Sequence, residues 1–257
     1  MEKISIVGLG FVGLPTAVIL ANCKNKKSNE IFSICGIDKN IQNIKKKLLN
    51  YKKQNLTSFK DLFLKKIFSE VIKKNKIKFT DNISEICNSD IVIVSINFDF
   101  KSKSKKDFNT LEFFFNNIGK NIKKGTLILF ETTVPIGTCE NIIIPTLTKQ
   151  LKKRQLNIKD IYFAYSYERV MPGKNYYDSI VNNYRCYSGI NKASKKKCKS
   201  FLKKFINYKK YPLKEFNTIM ECESAKILEN TFRAVNIALI DEWTKFANEF
   251  NLDLNNI

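Results

Sequence analysis

The sequence predicts an α/β chain in which a doubly wound, mostly parallel sheet is followed by one long helix. Three observations carry this. Short apolar runs alternate with segments of helical period, the pattern of βαβ units. A glycine-spaced turn follows the first apolar run. Residues 215–249 hold a helical pattern with neither Gly nor Pro inside it.

The elements follow in order. "KISIVG" at 3–8 reads as a buried strand, and a helix runs from near Phe11 to near Cys23. "IFSICGID" at 31–38 is a second strand, and the Lys-rich segment 40–53 is a helix. "FKDLFLKKIFSEVIKK" at 59–74 is amphipathic, and "KIKFT" at 76–80 is a strand. "DIVIVSINF" at 90–98 and "GTLILFET" at 125–132 are strongly apolar strands, with helices over 109–122 and 137–153. "IYFAYS" at 161–166 is another strand. Residues 167–190 read as irregular, with "RVMPGKN" as a loop. A helix at 191–206 and a strand at 207–213 close the sheet before the long helix starts near Glu215.

The 257 residues are 44% hydrophobic, enough for one large core or two smaller ones. No run of 18 apolar residues predicts a membrane span. The N-terminus enters a strand directly, without a secretion signal, and the seven cysteines lack paired zinc spacing, so free thiols in a cytoplasmic protein without a metal centre are expected. The net charge of +21 comes from 45 basic residues of which four are arginine. Base readout favours arginine forks, and the lysines are scattered, so neither nucleic acid nor membrane is the expected partner. There is no histidine. Proton transfer falls to Lys, Glu, Asp, Cys, Tyr or water.

Gly8, Gly10 and Gly13 sit between the first strand and its helix in a G-x-G-x-x-G spacing. Such a turn allows a pyrophosphate to approach the backbone at a helix N-terminus. Asp38 ends the second strand 25 residues after Gly13. Its carboxylate can accept from both ribose hydroxyls and repels a 2′-phosphate, which favours NAD over NADP, although Lys39 beside it offsets part of that repulsion. On the long helix, Glu223, Lys226, Asn230 and Arg233 are spaced 3, 4 and 3 and share one face, which Ile237 and Ile240 then take over. Leu228, Phe232, Val235 and Leu239 line roughly the opposite face, the expected core stripe.

Four blocks together resemble the UDP-glucose/GDP-mannose dehydrogenase family of nucleotide-sugar 6-dehydrogenases. They are "GLGFVGLP" at 8–15, "ETTVPIGT" at 131–138, "YSYERVMPG" at 165–173 and "ESAKILENTFRAVNIALIDE" at 223–242. The last two are most similar to the branch oxidising UDP-N-acetylhexosamines. The resemblance implies a Rossmann-like NAD-binding domain over 1–213. Residues 214–257 then begin a central helical dimerisation and substrate domain, truncated here, with a homodimer through the long helix.

It also implies roles. Phe11 and Val12 lie at the pyrophosphate turn and Thr133 near the nicotinamide half of the cofactor. Glu168 handles water and protons. Arg169, Val170 and Arg233 contact the UDP-sugar. Lys226 and Asn230 are the active-site lysine and asparagine, an ammonium and an amide suited to a developing oxyanion.

Three departures accompany the resemblance. Where the family has a Pro-Thr-Pro turn, this chain reads Ile96-Asn97-Phe98-Asp99. The family's Gly-rich loop with its cysteine nucleophile is absent, and Cys222, one turn before Lys226, reads as a core thiol. The closing C-terminal domain is absent too. Two alternatives stand beside this reading. A β-hydroxyacid dehydrogenase also joins such a domain to a helix bearing Lys and Asn, but "NIKKGTLILFETT" does not resemble its glycine-rich loop. The other is a non-catalytic NAD-binding or dimerisation module.

Overall fold

The computed structural model describes residues 1–42, 44, 59–98 and 105–257. Among these, eight strands form one sheet: β1 (Glu2–Val7), β2 (Phe32–Ile37), β3 (Ile77–Thr80), β4 (Ile91–Val94), β5 (Leu127–Phe130), β6 (Tyr162–Tyr165), β7 (Arg185–Gly189) and β8 (Leu213–Glu215). Seven helices accompany them: α1 (Gly13–Ala21), α2 (Leu62–Lys73), α3 (Lys105–Asn121), α4 (Ile144–Lys153), α5 (Tyr176–Val181), α6 (Lys192–Leu202) and α7 (Ile219–Glu249). Most of the helix expected over 40–53 lies outside the described residues, as does Asp99.

The sheet order is β3-β2-β1-β4-β5-β6-β7-β8. All pairings are parallel except β6 with β7. The chain therefore winds outward from β1 to β3, returns, and winds the other way from β4. The crevice at the carboxyl ends of β1 and β4 is the switch point where such sheets bind ligands.

Every residue of β4 (IVIV) and β5 (LILF) is buried, because both faces of a parallel sheet are covered by helices. Alternation assigns the side chains. Ile91 and Ile93 join the cluster under α1, α2, α5 and α6, whereas Val92 and Val94 join the one under α3, α4 and the first turns of α7.

Four expectations need correction. Residues 167–190 are not irregular throughout, since they contain α5 and β7. The strand expected at 207–213 is a run of turns, and β8 starts only at Leu213, pairing with Arg185–Tyr187. α7 starts at Ile219 instead of near Glu215, because Thr218 and Glu221 form a capping box: the Thr218 hydroxyl accepts from Glu221 N–H at 3.1 Å and the Glu221 carboxylate from Thr218 N–H at 3.0 Å. The apolar runs at 90–98 and 125–132 are longer than β4 and β5, whose flanks leave the ladder to build the site.

α7 has 31 residues, about 45 Å at the usual rise. Its first turns bury Ile219, Cys222, Glu223 and Lys226, whereas residues 230–246 are exposed on all sides. The stripe of Leu228, Phe232, Val235 and Leu239 expected in the core is therefore exposed, because no described element packs on that part of the helix.

Candidate active site

The carboxyl ends of β1, β2, β4, β5 and β6 and the start of α7 lie along one edge of the sheet. At the end of β1, Gly8 N–H donates to Ile37 O at 2.9 Å. Gly8 has φ +92°, and a Cβ there would lie 2.7 Å from Ser95 O. A Cβ on Gly13 would come within 1.8 Å of Gly8 O. Only glycine lets the turn fold back on itself while β1 and β4 stay paired. A Cβ on Gly10, by contrast, meets nothing within 4 Å, so this part of the turn faces open space.

α1 starts beside that space with no side-chain cap and no acid in its first turn. Its amides and the positive end of its dipole are left for an anion. Val12 is the N-cap residue, and the Phe11 ring is exposed while its carbonyl accepts from the Tyr176 hydroxyl. The residues present fit a dinucleotide pyrophosphate.

Asp38 stands just past the end of β2. Its Oδ2 accepts from Leu9 N–H and its Oδ1 from Asn40 N–H, both at 2.8 Å. It therefore props the glycine turn as well as offering its remaining lone pairs to a ribose.

On the other side of the switch point, Thr133 is exposed and follows Thr132, whose hydroxyl donates to Ile96 O at 2.6 Å. The segment 95–98 that replaces the Pro-Thr-Pro turn is thus tied to the end of β5.

Lys226 reaches from α7 into the loop after β6. Its Nζ donates to Glu168 O at 2.8 Å and lies 5.4 Å from the Tyr167 ring centroid. Burial lowers the Lys226 ammonium below the ordinary lysine range, opposed by the charges of Glu168 and Glu229. It can lose a proton more readily than a surface lysine. The Glu168 carboxylate turns back onto Val170 N–H. Val170 is half-buried against the core. Arg169 Nε donates to Glu229 Oε1 at 2.6 Å, and Arg233 lies 3.6 Å from the same oxygen. Asn230, one turn beyond Lys226, is exposed.

Glu223 departs from the shared polar face: its carboxylate is fully buried against protein. Cys222 is likewise in the core, its thiol 3.9 Å from Tyr165 O, and burial pushes its pKa far up. Among the described residues, no group of three or more Cys, Asp or Glu could hold a metal ion.

One cluster had escaped the sequence reading. Glu131 and Arg185 form a buried ion pair, each under a tenth exposed. Ser95 Oγ donates to Glu131 at 2.9 Å, and Arg185 Nε donates to Ser166 Oγ at 3.0 Å. The cluster joins the ends of β4, β5, β6 and β7 beneath the Glu168 loop. The only signal in the sequence was a carboxylate closing the apolar run before Thr132.

Comparison with known proteins agrees with this geometry. The family model for the NAD binding domain of the UDP-glucose/GDP-mannose dehydrogenase family matches residues 2–206. The chain belongs to that family. A UDP-N-acetyl-D-mannosamine dehydrogenase of Pyrococcus horikoshii is 26% identical over 252 residues, covering 98% of this chain and 55% of the relative. One of Methanocaldococcus jannaschii is 30% identical over 257 residues, covering 98% and 53%. A solved structure of a UDP-D-ManNAc dehydrogenase from Pyrococcus horikoshii superimposes with a TM-score of 0.78 at 24% identity, covering 99% of this chain and 56% of that one.

The chain spans about half the length of the curated relatives it matches. It carries the family's NAD-binding domain. No described helix is long and apolar enough to cross a membrane.

Proposed function

We propose that this chain is the cofactor-binding half, with the start of the substrate helix, of a dehydrogenase that oxidises the 6-hydroxyl of a UDP-N-acetylhexosamine or UDP-hexose to the uronate. In this reading residues 1–213 form the NAD-binding domain and 214–257 begin the helical domain. The observation that carries it is Lys226, lodged on the Glu168 carbonyl at the carboxyl edge of the parallel sheet. A buried ammonium at the same sheet edge as a dinucleotide turn suits alcohol oxidation, because it can neutralise the oxyanion that develops.

NAD, when bound, supplies the hydride acceptor. The chain's own groups bind the cofactor and orient the alcohol and water. Gly8, Gly10, Phe11, Val12 and Gly13 form the pyrophosphate turn. Asp38 meets the adenosine ribose, and Thr133 borders the nicotinamide half. Lys226 and Asn230 orient the alcohol and stabilise its oxyanion, and Glu168 positions water for the final hydrolysis. Arg169, Val170 and Arg233 contact the UDP-sugar, which requires Arg169 to share or leave its bond to Glu229.

Ligand-observed saturation transfer in the presence of NAD+ tests the substrate class. We expect transfer to UDP-N-acetylmannosamine or UDP-N-acetylglucosamine, reduced severalfold in Lys226→Ala. No transfer to any UDP-sugar contradicts the substrate assignment.

A homodimer through α7 belongs to the same reading. Phe232, Val235, Ile237, Ile240, Trp243 and Phe246 are each about half exposed or more, on several sides of one helix, and such a surface calls for cover. Sedimentation at micromolar concentration should give twice the 29.8 kDa chain mass. A stable monomer there rules the dimer out. Seven free thiols suit a reducing cytoplasm, where a sugar acid would serve surface polysaccharide precursors. Fractionation of producing cells checks the compartment.

A further inference from the structure

Glu223 begins the polar stripe that holds Lys226, yet its carboxylate meets backbone amides of the protein. Its Oε2 accepts from Gly137 N–H at 2.6 Å and its Oε1 from Cys139 N–H at 2.9 Å. The side chain is fully buried. Those two amides belong to the turn that leaves Thr133 through Pro135 and enters the π-helical turn Cys139–Ile143, which continues directly into α4. An uncompensated carboxylate would be costly in such a place, and two charge-assisted bonds to backbone amides hold it there.

Three residues later on the same helix, Lys226 holds the Glu168 carbonyl. α7 is therefore pinned at adjacent turns to two separate segments of the sheet's carboxyl edge. One segment follows Thr133 and the other contains Glu168. Neither bond would be needed for helix formation, since α7 has its own capping box.

We infer that Glu223 is a positioning residue, which fixes the 135–139 turn, and Thr133 with it, in register with Lys226. The inference rests on the dinucleotide reading above and deepens it. The adenosine half of the cofactor is held by the glycine turn and Asp38, at a distance from this clamp in the fold. The nicotinamide half is the part that depends on it.

The test compares wild type, Glu223→Gln and Glu223→Ala in three measurements. The first is amide exchange at Gly137 and Cys139. The second is the rate at which acetic anhydride labels Lys226. The third is NADH titration, read both as affinity and as nicotinamide emission at saturation. In Glu223→Ala we expect exchange at both amides to rise at least tenfold and labelling severalfold. Affinity should stay within about threefold, whereas the emission enhancement of bound NADH should fall by half or more. Glu223→Gln retains one acceptor and should fall between; it also serves if the alanine variant does not fold.

Unchanged exchange and labelling overturn the clamp. A lowered melting temperature with unaltered emission per bound NADH overturns the positioning role, leaving a structural one. Failure of wild type to bind NADH contradicts the dinucleotide reading instead, and the exchange and labelling arms still decide the clamp.

Discussion

Incubated with NAD+ and any UDP-hexose or UDP-N-acetylhexosamine, this 257-residue chain should yield no uronate. Converting a primary alcohol to a carboxylate takes two hydride transfers and a hydrolysis. The aldehyde stage has to be held between them, and in a site without histidine a thiol is the group suited to do so as a thiohemiacetal. Lys226, Asn230 and Glu168 can orient an alcohol and stabilise an oxyanion, but none forms that bond.

The thiols do not fill the gap. Cys139, Cys198 and Cys222 are buried, and burial raises the pKa of each. The exposed Cys87 precedes β4, at the opposite edge of the sheet. Cys186 is half-buried, with the Tyr167 hydroxyl 3.5 Å from its sulfur. At most, slow and reversible single oxidation to the aldehyde is expected. The assay follows NADH and identifies the product by mass. Steady release of two NADH per sugar would contradict the expectation, and its loss in Cys222→Ser or Cys186→Ser would name the nucleophile.

The second large effect concerns stability. Arg185→Met should cost about 3–5 kcal/mol, because it leaves the buried Glu131 carboxylate without its countercharge. Glu131→Met should cost a similar amount by stranding the guanidinium. The double variant should lose clearly less than the two single losses together, since an apolar pair of similar volume removes both desolvation penalties. Urea denaturation measures all three. A loss under about 1 kcal/mol for Arg185→Met would show that the pair is weakly coupled or hydrated.

These two predictions also mark where the sequence was legible. β4 and β5 were readable because a strand buried on both faces must be apolar throughout. β7 was missed because its buried residues include Arg185, Ser188 and Gly189. Their burial is made tolerable by hydrogen bonds to residues far away in the chain, which no local period records. β8 has only three residues, two of them exposed, too few for alternation to register.

The site divides in the same way. The glycine turn and Asp38 are local in sequence, so spacing alone is enough to nominate them. Lys226, Asn230 and Arg233 share a face through helical period, and that same period groups Glu223 with them although its carboxylate is buried against protein. Its partners are backbone amides more than eighty residues away, and an amide carries no residue-type signature. The pairing of Glu131 with Arg185 spans 54 residues and two elements, one of which had not been foreseen.

The central claim, a dinucleotide site specific for NAD, is tested most directly by titrating the chain with NADH and NADPH and repeating both with Asp38→Ala. Asp38 props Leu9 and Asn40 as well as facing the ribose, so its removal should weaken both cofactors. The ratio between them therefore carries more information than either affinity. We expect wild type to bind NADH at least tenfold more tightly than NADPH, on the order of 1–3 kcal/mol for charge-assisted ribose bonds, and Asp38→Ala to bring the two close together. Equal affinity in wild type, or a preference for NADH that survives Asp38→Ala unchanged, would contradict it.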